Sequence, residues 1–257
     1  MTEQGTARRP AKRRLIAGAT AAATIAAGAL VSSELVAGAG AATPVSSTQW
    51  QTCKVTLNGV QTTVDKAERT RTVVNGTGGS WAVVGFFVRT DGACTFKRVL
   101  KVDGRVGYNG ISNGLTRRQG SGTTPSGTYT MTESFGNSPR PATALSYHRV
   151  KTGDYWVQDQ NSAFYNTLRN SGLGGFLAST TGSNGSERLL DYTTQYAHSV
   201  VINFNRAPER RTVGRGSGIF LHVNGRGATA GCVSITKAGL RTLMSYLRSG
   251  DRITITA

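Results

Sequence analysis

Acidic residues are scarce in this chain of 257 residues, where 13 Asp and Glu stand against 30 Lys and Arg and give a net charge of +17. Such an excess attracts polyanions over roughly a Debye length of 10 Å, so nucleic acid, an anionic lipid surface or an acidic cell-wall polymer could each be a partner. Aromatic residues make up only 7 % of the chain. Zinc-finger spacing, a helix-turn-helix pattern and interleaved basic and aromatic residues are also lacking, which argues against a nucleic-acid-binding module.

A long hydrophobic run is missing as well, since the apolar stretch at residues 15–31 is shorter than the roughly 20 residues of a membrane-spanning helix. Five basic residues precede this stretch between positions 8 and 14, and small residues at 37–42 offer cleavage sites of the A-x-A type. Residues 1–42 are therefore predicted to be a secretory signal peptide. An uncleaved signal is the alternative, and it would be the only link to a membrane. Cleavage would leave a net charge of +14 on 215 residues.

Export places the predicted mature protein outside the cytoplasm, secreted or in the cell wall. In that setting an anionic cell-wall polymer is the polyanion that the basic composition favours most.

Only three cysteines are present, namely Cys53, Cys94 and Cys232, so they cannot all pair within one chain. We predict a Cys53–Cys94 disulfide, whose loop of about 40 residues would stabilise the fold by roughly 4 kcal/mol in the chain-entropy model. Cys232 would then remain a free thiol in an oxidising compartment. The sequence permits two other pairings, and three small buried hydrophobic residues are a further alternative.

Glycine is abundant, with 33 residues, and short β-branched or alternating runs lie between Gly, Asn and Ser clusters. This pattern predicts a mainly β fold, a sandwich or a barrel. The predicted strands are residues 81–88, 95–102, 128–132, 199–204, 219–223 and 253–256. Helices are predicted over 162–170 and, more clearly, over 237–248, where Thr236 is the expected N-cap.

The same distribution of short apolar runs and turn residues leads to the domain prediction. After the signal peptide, the chain suits one domain, in which residues 43–99 form an N-terminal lead-in with the first strands and residues 100–257 form the remainder. The first part, residues 43–80, has few apolar residues and is expected to pack loosely, with one strand near Cys53–Leu57. A stretch of low hydrophobicity at 172–188 is either a lid over a cleft or a surface loop.

The most informative segment runs from Ile219 to Ile235, where His222 lies in an apolar run and Cys232 follows a glycine. If 219–223 is a strand, Leu221 and Val223 face one side and His222 the other. The glycine-rich residues after it could turn the chain so that Cys232 returns beside His222. A neighbouring imidazole can activate a thiol as a nucleophile. Taken alone, the pair could equally be buried core residues.

Four patterns in order settle this choice: Gly104 to Gly110, Thr124 to Tyr129 with Phe135-Gly136, Tyr155 to Asp159 with Ser162 and Tyr165-Asn166, and His222 with Thr229 to Val233. Together they resemble the catalytic domain of the L,D-transpeptidases, peptidoglycan cross-linking enzymes with a cysteine nucleophile. The resemblance covers about residues 100–257. It implies an L,D-transpeptidase-like β-sandwich with one or two short helices, acting as a monomer on peptidoglycan stem peptides.

The resemblance also implies Cys232 as nucleophile and His222 as general base, with the backbone N–H groups of Gly231 and Cys232 forming the oxyanion hole. No metal or cofactor is needed, and acylation by carbapenems is expected. His148 and His198 belong to none of the patterns and are expected to be core or edge residues. Trp156, Asp159, Tyr165 and Asn166 could wall a groove or pack in the core, and they are left out of the catalytic set. Thr124 to Tyr129 is expected to shape a turn.

One departure concerns substrate recognition. Many family members carry an arginine two positions after the cysteine, whereas Val233 and Ser234 follow Cys232 here. We expect Arg226 or Arg215 to bind the substrate carboxylates in its place, because a guanidinium can hold a carboxylate with two hydrogen bonds.

Three alternatives to a transpeptidase remain at this point. One is an L,D-carboxypeptidase acting on the same substrate. The others are a noncatalytic basic wall-binding module and a secreted cysteine hydrolase of another fold that acts on proteins.

Overall fold

The computed structural model describes residues 52–90 and 94–257, and the predicted signal peptide lies outside them. The strands are β1 (Thr52–Leu57), β2 (Val60–Asp65), β3 (Thr70–Gly78), β4 (Trp81–Arg89), β5 (Phe96–Arg105), β6 (Ile111–Asn113), β7 (Thr124–Gly136), β8 (Ser146–Arg149), β9 (Asp154–Trp156), β10 (Leu168–Asn170), β11 (Glu187–Arg188), β12 (Ser199–Ile202), β13 (Phe220–Val223), β14 (Val233–Ile235) and β15 (Asp251–Thr256). The α-helix α1 spans Lys237–Tyr246, and single 3-10 turns lie at Ser171–Leu173, Leu189–Asp191 and Gln195–Ala197. Within this described part, no helix has the length and apolar character that crossing a bilayer requires.

The largest sheet closes on itself. Its hydrogen-bonded order is β12, β13, β14, β5, β4, β3, β15 and β7, and β7 pairs again with β12. The pairs β13 with β14 and β3 with β15 are parallel, and β6 and β8 add to the long strand β7. Closure removes the free edges at which strands of different molecules could pair. The predicted mainly β fold is confirmed.

The main core lies against one face of these strands. It joins apolar side chains from β3, β4, β7, β12, β13, β14 and β15 with Leu240, Leu243, Met244 and Leu247 of the α1 region. A second cluster lies on the other face of β13 and contains Phe135, Trp156, Tyr196, Phe220 and Cys232. The thiol of Cys232 is therefore embedded among aromatic rings.

The predicted helix over 237–248 is confirmed. α1 begins after Thr236, whose side chain accepts a hydrogen bond from Gly239 N–H, and its buried positions are Leu240, Leu243 and Met244. An N-cap of this kind stabilises a helix by about 1 kcal/mol. The helix therefore serves packing of the core.

The predicted helix over 162–170 is wrong. Residues 162–167 form turns, and Leu168–Asn170 is the strand β10, which pairs antiparallel with β9. Asn166 has a φ of 63°, which breaks helical geometry, and its buried side chain bonds to Trp156, Gly218, Phe204 and Asn205. These tertiary hydrogen bonds override the local helical preference.

The prediction of loose packing for residues 43–80 is wrong for the first half of β3. Thr70, Arg71, Thr72, Val73 and Val74 of β3 are fully buried, and β3 pairs with β4 and β15. This segment has few apolar residues, so the central strand β3 was not recognised in it. Two of the buried positions of β3 hold threonine and one holds arginine.

The hairpin of β1 and β2 covers the outer face of β3 and β4. Leu57 packs with Val73 and Phe87 in a third apolar cluster. Cys53 of β1 forms a disulfide with Cys94, with the two Cα atoms 6.3 Å apart, and Cys232 is a free buried thiol. The disulfide thus joins the hairpin to the segment that precedes β5.

Arg71 is fully buried and pairs with the carboxylate of Glu68, with one hydrogen bond of 2.6 Å from Nη2 to Oε2. Its Nη1 also donates to Thr254 Oγ1 at 2.6 Å, and Nη2 donates to Thr63 O at 3.2 Å. A single buried guanidinium therefore joins β2, β3 and β15.

We predict that Arg71→Ala lowers the free energy of unfolding by about 3–5 kcal/mol, because it leaves the Glu68 carboxylate without its buried partner. Chemical denaturation followed by circular dichroism measures this change. Arg252→Ala is the matched control, since Arg252 lies 3.9 Å from the same carboxylate but its side chain is 44 % exposed. Its expected cost is below about 1 kcal/mol. Equal losses for the two variants would contradict the assignment.

Candidate active site

The parallel pairing of β13 with β14 sets the geometry of the site. Leu221 aligns with Val233, His222 with Ser234, and Val223 with Ile235. Successive side chains alternate between the faces of a strand. Leu221, Val223, Val233 and Ile235 enter the main core. His222 and, just before β14, Cys232 therefore point to the opposite face, where both line one cavity.

Cys232 lies among backbone groups that hold its sulfur. Phe220 N–H donates to Sγ at 3.3 Å, and the thiol donates to Gly218 O at 3.3 Å. The residue is 8 % exposed. Burial raises the pKa of the thiol to about 12, the charge of Glu187 adds to this, and Phe220 N–H and Arg117 oppose it. The thiol is therefore protonated at neutral pH.

His222 is buried against Tyr196, whose ring stands edge-on at 5.5 Å between centroids. Its Nδ1 lies 2.8 Å from Val223 O. Because a carbonyl oxygen only accepts hydrogen bonds, Nδ1 carries the proton and Nε2 keeps a free lone pair. Burial lowers the pKa of His222 to about 4, against a smaller effect of the Val223 carbonyl. The imidazole is thus a neutral base at pH 7.

A cavity of about 570 Å³ contains both groups. Arg226 lies on its exposed rim, whereas Arg215 is not among the lining residues. The Arg215 guanidinium donates to Gly114 O at 2.6 Å and lies over the ring of Phe204. Of the two arginines predicted to bind substrate, the structure brings only Arg226 to the cavity.

Arg117, which the sequence reasoning missed, lines the same cavity and is 5 % exposed. Nε donates to Thr123 O at 2.7 Å, and Nη1 donates to Arg215 O at 3.1 Å. Burial lowers its pKa, and the nearby Cys232 partly opposes that effect. Arg117 stands in a basic chain among many arginines, so its sequence position carries no signal of its own.

Glu187 and Tyr196 form a second pair that the sequence did not reveal. Tyr196 Oη donates to Glu187 Oε1 at 2.5 Å, and both residues line the cavity. Burial raises the pKa of Glu187 to about 7, the Tyr196 hydrogen bond opposes this, and Asp191 adds to it. Glu187 therefore changes its charge near neutral pH. Acidic residues are scarce in this basic chain, and this scarcity was the only feature of the sequence that could have drawn attention to Glu187.

The glycine and threonine patterns hold the backbone of Cys232. Thr124 Oγ1 accepts from Gly107 N–H at 2.8 Å and donates to Cys232 O at 3.1 Å. Thr229 Oγ1 donates to the same carbonyl at 2.6 Å and accepts from Gly231 N–H at 3.1 Å. Two other segments, around Gly107 and Thr124, are thus tied to the segment of Cys232, as expected for residues that position without reacting.

These contacts also bear on the predicted oxyanion hole. The Gly231 N–H already donates to Thr229 Oγ1, whereas no acceptor for the Cys232 N–H occurs among the hydrogen bonds of the described residues. Of the two predicted donors, the Cys232 N–H is the one available to a substrate oxygen.

Trp156, Asp159, Tyr165 and Asn166 lie behind the cavity and are absent from its lining. Asn166 accepts from Trp156 Nε1 at 2.9 Å and from Gly218 N–H at 3.0 Å. Since Gly218 O accepts the thiol proton, this network fixes the backbone on which Sγ rests. Asp159 accepts from Asn161 and Leu177 N–H groups and shapes a turn.

The remaining expected features fall around this centre. His148 pairs with buried Asp154 at 2.7 Å, and His198 is buried beside Tyr147, so both lie apart from the cavity lining. Thr180, Gly185, Ser186 and Glu187 of the stretch 172–188 line the cavity. Over residues 52–90 and 94–257, no three His, Cys, Asp or Glu side chains come together as a metal site.

Comparison with known proteins gives one informative match. The YkuD family model, described as the L,D-transpeptidase catalytic domain, matches residues 62–255. No curated protein matches the chain. Among solved structures, an L,D-transpeptidase from Mycobacterium smegmatis is similar, with 15 % identity, coverage of 81 % of this chain and 68 % of that chain, and a TM-score of 0.32.

We predict that Glu187→Gln lowers the apparent pKa of Cys232, because the variant removes the negative charge that disfavours the thiolate. The pH dependence of Cys232 alkylation by iodoacetamide measures this pKa. The alkylation rate of Glu187→Gln should begin to rise at a lower pH than that of the wild type. Asp191→Asn removes the same charge from another cavity residue and should shift the profile less. An unshifted profile for Glu187→Gln would contradict the electrostatic coupling.

Proposed function

Because the chain belongs to the L,D-transpeptidase catalytic domain family, we propose that it is an exported cysteine acyltransferase that forms 3→3 cross-links between peptidoglycan stem peptides. One observation carries this proposal. A free thiol and an imidazole with its Nε2 lone pair available lie on the same face of adjacent parallel strands and line one cavity of about 570 Å³.

In the first step, Cys232 Sγ attacks the carbonyl between the third and fourth residues of a stem tetrapeptide. The thiol proton passes to His222 Nε2 during the attack, because both groups start neutral. The resulting imidazolium then protonates the leaving amine, and D-alanine departs. A thioester on Cys232 remains. This order suits a base of low pKa that is charged only briefly.

The oxygen of the tetrahedral intermediate needs hydrogen-bond donors as its charge develops. The Cys232 N–H supports this role, since the two carbonyl contacts from Thr124 and Thr229 hold the peptide of Cys232 in place. A donor of this kind contributes on the order of 3 kcal/mol in other acyl-transfer enzymes.

In the second step, a side-chain amine of the third residue in a neighbouring stem attacks the thioester. His222 Nε2 takes a proton from this amine, and the thiol is regenerated with the return of that proton. The product is a 3→3 cross-link. Water in place of the amine would give an L,D-carboxypeptidase, and neither path needs a metal or an organic cofactor.

The charge of the chain supports work at the cell wall. The basic residues outnumber the acidic ones by 17, and the N-terminal residues have the pattern of a secretory signal. We therefore place the protein outside the cytoplasm, secreted or bound to the wall, with anionic wall polymers as general electrostatic partners.

We predict that Cys232→Ser lowers cross-linking of purified stem peptides at least about a thousandfold, because the serine hydroxyl replaces the nucleophile. His222→Gln should lower it about a hundredfold or more, because the general base is lost. Mass analysis of muropeptides after incubation with the purified protein measures both. Dimers would indicate the transpeptidase, and shortened monomers the carboxypeptidase. Neither product from the folded wild type would favour a noncatalytic wall-binding module.

We also predict that a carbapenem adds its mass to the wild-type protein and not to Cys232→Ser. Intact-protein mass spectrometry detects the adduct, and peptide mapping places it. A Cys232→Ser protein that still gained the mass of the drug would rule out Cys232 as the nucleophile. Cleavage of ordinary L,L-peptides would instead favour the protein hydrolase.

A further inference from the structure

Arg117 is a buried cation without a carboxylate partner in the described part of the chain. Its guanidinium donates hydrogen bonds to the carbonyls of Thr123 and Arg215 and lies over the ring of Phe204, whereas buried Arg71 pairs with Glu68. Burial of a charge without a counter-charge costs free energy, which an anionic ligand would offset. The two backbone contacts hold Nε and Nη1, and no acceptor for Nη2 occurs among the described hydrogen bonds.

The guanidinium lies beside the nucleophile. A Cβ added to Gly231, the residue before Cys232, would meet Arg117 Nη2 at 2.8 Å, and one added to Gly216 would meet Nη1 at 1.8 Å. Both glycines have positive φ, 143° and 115°. Their lack of side chains therefore leaves the space in which the arginine reaches the cavity.

Three arginines line the cavity, and they differ in their surroundings. Arg226 is exposed to solvent, and exposed Arg188 is paired with Asp191 at 2.7 Å. Water and salt weaken the attraction of an exposed cation for an anion, whereas a buried guanidinium is screened much less. Arg117 is thus the lining arginine with both a free charge and a desolvated setting.

The reaction places a carboxylate near this position. Attack requires the acyl carbon to lie about 3–3.5 Å from Sγ. The terminal carboxylate of the residue that leaves is separated from that carbon by only the amide nitrogen and one Cα. It must therefore lie within a few ångströms of Cys232, in the neighbourhood of Gly231.

We propose that Arg117 is the specificity-determining residue that binds the terminal carboxylate of the acyl donor, so that Cys232 attacks the last peptide bond of a stem. The assignment rests on the proposed function for the identity of the donor. It gives the role expected of the arginine that is missing after Cys232 to a residue more than 100 positions earlier in the chain. Arg226 then meets the outer part of the substrate.

The anion site can be tested without any transpeptidase assay. Cys232 is alkylated at one pH by iodoacetate and by iodoacetamide, reagents of similar size that differ in charge. Each rate is divided by the rate for a small free thiol. The wild type should favour iodoacetate, and Arg117→Gln should lower that preference about tenfold or more, in line with a charge-assisted hydrogen bond.

Arg118→Gln is the matched control, because it removes the same charge from the next residue, which is exposed and absent from the cavity lining. Its preference should stay within about twofold of the wild type, as expected for a screened charge. Thermal unfolding establishes that each variant is folded. An unchanged preference in folded Arg117→Gln, or an equal loss in Arg118→Gln, would overturn the proposal.

A second measurement uses the wild type alone and so remains informative if Arg117→Gln does not fold. A tetrapeptide donor with a free C-terminal carboxylate is compared with the same donor ending in a carboxamide. The free acid should have the lower KM by about tenfold or more. Equal KM values for the two donors would contradict the proposal.

Arg117→Lys keeps the charge but not the planar pair of donors, and it should regain part of the discrimination. A purely structural role for Arg117 would change stability and leave the acid-to-amide ratio untouched. If the wild type turned over neither donor yet kept its preference for iodoacetate, the proposed function would fail while the anion site stood.

Discussion

The parallel pairing of β13 with β14 is the constraint on which the rest of the site depends. Its register turns Leu221 and Val233 into the main core, so that His222 and Cys232 must both face the other way. A shift of one residue in either strand would turn His222 or Cys232 into the main core. The hydrophobic core therefore fixes the relative position of two groups that make no hydrogen bond to each other in the described contacts.

Burial then determines the protonation state of the Cys232 thiol and the His222 imidazole. The desolvated thiol and imidazole are both neutral at pH 7, so they do not form a thiolate–imidazolium ion pair. The cavity around them is lined by charges of both signs. Arg117 lowers the pKa of the Cys232 thiol, and Glu187 raises it. Burial and the charge of Glu187 raise the pKa of the thiol more than Arg117 lowers it, so a strongly basic protein still holds a thiol of raised pKa.

Local pattern predicted much of the fold, because β-branched runs and an amphipathic helix with a threonine N-cap are short-range signals. The helix α1 and strands such as β4 were found in this way. The central strand β3 was missed since its buried positions include Thr72 and Arg71, and the Arg71 side chain has partners in β2 and β15. The prediction of a helix over 162–170 was wrong for a similar reason, because hydrogen bonds to residues distant in the sequence determine the conformation of Asn166. Cys232 and His222 were identifiable as the candidate pair through the family patterns.

From the sequence alone, four patterns between Gly104 and Val233 led to the family and to Cys232 and His222 as the proposed reactive pair, because each pattern consists of residue types at short spacing. The sequence also determined the basic character, and its N-terminal pattern led to the proposal of export. Only the tertiary structure decided which charges surround the thiol. Arg117 and Glu187 lie 115 and 45 positions from Cys232, and their proximity follows from sheet closure and loop packing. Burial and electrostatic environment are properties of the assembled fold, and no local pattern carries them.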